Sequence, residues 1–265
     1  LPDFPPDAWR DQFLITLWSG RIDKAIALAI DMLENGGEDL AVDFVHRELC
    51  YAAIELGLPL GLHDAMNQWM EQLGRVPGDR FQNTWKEFNG YRLLLLDEYD
   101  AAAAFARRWF EDIGGMDALD SPVLGSILFT LAHAGEYREA LDIIEASGKT
   151  DFYGDGPGGY IRATALYSLG IEPEASEAIE QAFVSQIPEQ EERLFADGWR
   201  PPRDFYELAY NYALAGRRED ALDALEMAVD AHYRWPLREP WEIFDAVLSL
   251  YEEPRFLELE EIVLD

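Results

Sequence analysis

Any catalytic or metal site in this chain would have to be assembled from four histidines, one cysteine and a large excess of carboxylates. His46, His63, His133 and His232 lie far apart in the sequence, and Cys50 is alone, so no internal disulfide and no zinc or redox spacing exists. Nucleophilic or acid–base catalysis needs a nucleophile beside a base, or an acid and base held at a fixed separation. No metalloprotease, P-loop, zinc or calcium signature supplies one. The glycine-rich stretch Asp151-Phe152-Tyr153-Gly154-Asp155-Gly156-Pro157-Gly158-Gly159 is followed by no Lys-Ser or Lys-Thr pair and carries no alternating acidic ligands, so it reads as a link whose glycines permit positive φ. Neither a catalytic residue nor a cofactor or metal is expected.

The side chains that remain suited to chemistry are aromatic, and the chemistry is recognition. Phe129 and His133, Tyr160 and Tyr167, and Tyr206 and Tyr210 recur at about one or two helical turns within three successive segments. Tyrosine buries a large apolar ring at little rotamer cost and keeps a hydroxyl with which to orient a partner. Two uses of the four tyrosines stay open: lining a groove, or packing between neighbouring segments. Phe129 suits the core.

Charge narrows the partner. The 265 residues carry 52 acids against 21 bases, a formal charge of −31, and only Lys24, Lys86 and Lys149 are lysines. A phosphate backbone would be repelled, which excludes nucleic acid, whereas a protein or peptide partner, basic for preference, is attracted. The same charge suits a surface kept soluble in salty surroundings. Glu189, Glu191, Glu192 and Asp197 gather in what reads as a long connection, solvated or available to a basic partner. No apolar run approaches the roughly 18 residues of a membrane span. Half the residues are apolar and eight are Trp, so the chain folds.

The elements that must position these side chains follow from a recurring phrase. A glycine, four mostly polar residues and an alanine appear as Gly20 to Ala25, Gly135 to Ala140, Gly170 to Ala175 and Gly216 to Ala221, with a copy at Leu96 to Ala101 that lacks the glycine. The glycine ends one helix in a left-handed conformation, the polar residues start the next, and the alanine permits close approach. Apolar residues then recur at three and four residue spacings, as in Ala221, Leu222, Leu225, Ala228 and Val229, one buried face of a helix. From Gly135 to Gly170 is 35 residues, and from Gly170 to Gly216 is 46.

This pattern resembles the tetratricopeptide repeat family. Phe205, Leu208, Ala209, Tyr212, Gly216, Ala221, Leu225 and Ala228 fall on that family's large aromatic, leucine, small, tyrosine, glycine, alanine, aromatic and alanine positions, Leu225 being the aliphatic exception. Trp85, Phe88, Ala101 and Phe105 match more loosely. The resemblance implies an all-α, right-handed superhelix of stacked antiparallel helix hairpins, and a non-catalytic scaffold that holds a peptide or protein in its concave groove. First helices line that groove, which assigns it Phe129, His133, Tyr160, Tyr167, Tyr206 and Tyr210.

One domain over 1–265 is expected, with hairpins near 7–35, 40–74, 78–113, 120–147, 158–186, 202–232 and 238–262, the last a cap. Gly148 to Gly159 and Ile187 to Arg203 read as long connections. The cap, around Trp235-Pro236-Leu237-Arg238 and Glu253-Pro254-Arg255-Phe256-Leu257, resembles the close of repeat segments in transcription regulators and nucleotide cyclases, some tethered to membranes. With a start at Leu1 instead of Met, this offers a second reading as the sensory ectodomain of a tethered regulator, the acidic surface fitting a salt-exposed periplasm as an alternative to the cytoplasm. A third reading, a helical-scaffold hydrolase, requires a buried carboxylate pair. Nothing in the sequence speaks to oligomeric state.

Overall fold

The computed structural model describes residues 79–119, 121, 123–148, 159–195, 202–231, 233, 237–238 and 242–264, with Lys24, Ala27, Leu28, Cys50, Asp64, Asn67, Gln68, Met70 and Glu71 before them. The expected hairpins at 7–35 and 40–74, His46, His63 and His232, and the glycine-rich stretch up to Gly158 lie outside the described residues. Among the described residues the chain is all-α, without strands, its helices packed as sequential neighbours. None is long and apolar enough to cross a membrane. Contacts gather into two compact units, residues 1–109 and 110–265.

Helices α1 (Asp79–Leu95) and α2 (Tyr99–Asp112) form the described part of the expected 78–113 hairpin. In the first unit Trp85 Nε1 donates to the Met70 carbonyl at 2.8 Å, and Arg92 reaches Asn89 and Asn67 at 3.1 and 2.6 Å. Cys50 is buried, and burial holds its thiol far above its ordinary range.

Between these helices the expected register needs a correction. Asp97, not Leu96, stands where the other copies have glycine: it adopts φ +58°, the described non-glycine residue with positive φ. Asp97 N–H bonds the Leu94 carbonyl, Glu98 N–H that of Leu93, and Ala102 N–H that of Glu98. Gly135, Gly170 and Gly216 repeat this scheme bond for bond, followed by Ala140, Ala175 and Ala221. It is the Schellman ending, in which a left-handed residue satisfies the last carbonyls of one helix before the next begins. Aspartate tolerates that conformation better than most residues, which hid the register of the copy. The small residue that packs is therefore Ala102, fully buried, whereas Ala101 is exposed.

In the second unit, α3 (Leu124–His133) pairs with α4 (Tyr137–Ser147), α5 (Gly159–Ser168) with α6 (Glu174–Ala182), and α8 (Pro202–Leu214) with α9 (Arg218–Asp230). Helix α5 also packs on α3 and α4. Connections of three residues, or five between α5 and α6, force each pair to run back on itself. The repeated alanines, fully enclosed, sit at the start of each second helix, where a larger side chain would push its partner away. At the last pair Leu208, Ala209, Tyr212, Ala221, Leu225 and Ala228 are all core.

The connection expected from Ile187 to Arg203 is not a plain loop. A ₃₁₀ turn at Val184–Gln186 leads into helix α7 (Ile187–Phe195), which buries Ile187 and Leu194 one heptad apart and packs on α8. Pro188 at its first turn was the available signal, since proline there loses no hydrogen bond. Helix α7 is the extra length in the 46-residue interval. Its acidic face is partly structural: Tyr212 Oη donates to Glu191 at 2.6 Å, Arg217 reaches the same oxygen at 3.0 Å while stacking over the Tyr212 ring, and Asn211 donates to Gln190 at 2.8 Å. The Tyr212 hydroxyl and the Arg217 guanidinium hold the Glu191 carboxyl below its usual range, while burial and Glu191 push Tyr212 up to about 12.

The chain closes with α10 (Asp245–Leu248), a ₃₁₀ turn (Ser249–Glu252) and α11 (Pro254–Leu264), which packs on α9. Arg238 pairs with Glu260 at 2.6 Å and lies over the Tyr251 and Phe256 rings, and Arg255 pairs with Asp223 and Glu226. One hydrophobic core then runs from Leu141 to Val263.

Candidate functional site

The residues assigned to the inner face stand on the first helices of three pairs: Phe129 and His133 on α3, Tyr160 and Tyr167 on α5, Tyr206 and Tyr210 on α8. Phe129 and His133 are buried and the four tyrosines half-buried. Phe129, His133, Tyr160 and Tyr210 meet in one row, while Tyr167 and Tyr206 make their ring contacts beside it. The Phe129 ring lies 4.2 Å from the His133 ring and 6.2 Å from that of Tyr160, centroid to centroid, and Tyr160 Oη lies 3.1 Å from His133 Nε2. Tyr160 then meets the edge of Phe183 at 5.8 Å, and Phe183 meets Tyr210 at 5.6 Å.

Phe183, which follows α6, is the link that sequence reasoning missed. It reaches the row because α6 returns alongside α5 so closely that Ala182 faces Gly159. A Cβ on Gly159 would lie 2.7 Å from the Ala182 Cβ and 3.3 Å from its Cα, inside any normal contact. Glycine at 159 is thus what lets the end of α6 deliver Phe183 beneath Tyr160.

The other missed residues come from the segment before α10. Tyr206 stacks on Tyr233 at 5.1 Å, and its hydroxyl faces the Leu237 carbonyl at 3.4 Å. Tyr210 hydrogen-bonds to the Glu242 carboxylate. Phe244, itself buried, packs on Tyr167 at 5.0 Å and on Phe183 at 6.0 Å, and the Asp245 N–H points to Tyr167 Oη at 3.3 Å. Nothing in a single sequence announces that Tyr233, Leu237, Glu242 and Phe244 meet the first helices.

Three titratable groups are displaced here. Burial depresses His133 to about 3, so the imidazole is neutral and can bond Tyr160 in one tautomer. Burial, then the neighbouring Tyr160 and Glu242, lifts the Tyr210 phenol well above its usual range. Burial also raises the Glu242 carboxyl, against the opposing pull of its hydrogen bonds from Phe244 N–H, Tyr210 and Ile243 N–H. Glu242 Oε1 accepts those two backbone bonds at 2.7 and 2.9 Å.

Chemically, the row offers ring faces, phenol hydroxyls and one carboxylate. Among the described residues, the groups acting on Glu242 include no second carboxylate. Among the described residues no group of three His, Cys, Asp or Glu is placed to hold a metal ion. No protein-family model matches the chain, and no curated protein matches it.

Proposed function

We propose that this chain is a non-catalytic binding scaffold of tetratricopeptide type, its helix pairs stacked as a right-handed superhelix, and that it holds an extended peptide or protein segment against the inner face formed by α3, α5 and α8. The architectural part rests on the Schellman turn repeated at Asp97, Gly135, Gly170 and Gly216, each followed five residues later by an enclosed alanine.

One observation carries the functional part. Leu237, Glu242 and extended Phe244 of the chain itself already meet these tyrosines, which hold them as they would hold a ligand. Tyr206 faces a backbone carbonyl, Tyr167 receives a backbone N–H, Tyr210 takes a carboxylate, and Phe244 lodges between rings. Hydroxyls that serve either polarity of a backbone group, set among ring faces, suit recognition of an extended segment. The row continues beyond these contacts through Tyr160. The charge of −31 favours basic partners.

Selection of random displayed peptides on the folded chain tests the proposal. Peptides that bind the wild type should lose at least about ten-fold in affinity on a Tyr160→Phe, Tyr206→Phe, Tyr210→Phe variant, because each hydroxyl bond contributes about 0.5–1.5 kcal/mol while the rings and their packing remain. Equal affinity for a variant of unchanged melting temperature contradicts the proposal.

A further inference from the structure

We draw no further inference here: the strongest candidate, the open depression that Phe110 and Met116 form against Glu136, Glu139, Asp142 and Ile143 of α4 and the turn before it, is an acidic surface patch, and nothing in the structure shows what covers it.

Discussion

His133→Phe is expected to make the protein slightly less stable than wild type at pH 7 and clearly more stable at pH 4. In the unfolded chain the imidazole titrates near 6.5, whereas burial in the folded chain depresses it to about 3. Above 6.5 both states are neutral and the side chain imposes no proton-linked cost. As pH falls below 6.5 the unfolded chain takes up a proton that the folded chain refuses, so stability drains away until the folded group itself protonates. By pH 4 the loss amounts to about 3 kcal/mol, at about 1.4 kcal/mol for each pH unit. Phenylalanine cannot titrate and keeps a ring against Phe129 and Tyr160. It surrenders the bond to Tyr160 Oη, about 1 kcal/mol, which is the small loss at pH 7. Urea midpoints of the two proteins followed from pH 7.5 to 4 should therefore cross. Parallel curves would show that His133 is not enclosed as described.

Gly159→Ala is the second large effect. The new methyl group meets Ala182 at 2.7 Å, and the Ala182 backbone lies too close for a rotamer change to relieve it. Either α5 or the end of α6 must move, at about 1–3 kcal/mol, which a domain of this size registers as several degrees in melting temperature. Because the clash is between two β-carbons, Ala182→Gly should be costly alone yet restore part of the loss when combined with Gly159→Ala. A double-mutant cycle with positive coupling is the expected result, and strict additivity would refute the close approach. The displaced helix carries Phe183 with it, so the single variant should also disturb the Tyr160 resonances.

These two positions mark what the sequence can and cannot disclose. The turns were legible because glycine in a left-handed conformation followed by a small residue is a local requirement, written in adjacent letters. The register of the third copy slipped by one because aspartate also meets that requirement, which moved the expected packing residue from Ala102 to Ala101. Helix α7 escaped because its apolar residues, Ile187 and Leu194, are few and its acids many; the Tyr212–Glu191–Arg217 cluster that secures it joins residues more than twenty positions apart.

The tyrosines were singled out from helical spacing, which is again local. Phe183, Glu242 and Phe244 were not, since each joins the row only through the way separate segments pack. The close packing at Gly159 and the return of the chain before α10 are tertiary facts with no periodic signature. The tyrosine rings pack against the core, and the Tyr206 and Tyr167 hydroxyls meet the Leu237 carbonyl and the Asp245 N–H.

The central claim is that partners bind along α3, α5 and α8. Hydrogen exchange of the whole chain, measured with and without a selected peptide, tests it most directly. Slowed exchange concentrated on α3, α5, α8 and the stretch around Glu242, with α4, α6 and α9 unchanged, is the predicted result. Protection confined to those second helices, or to the open acidic depression around Met116, Glu136, Glu139 and Asp142, would contradict it.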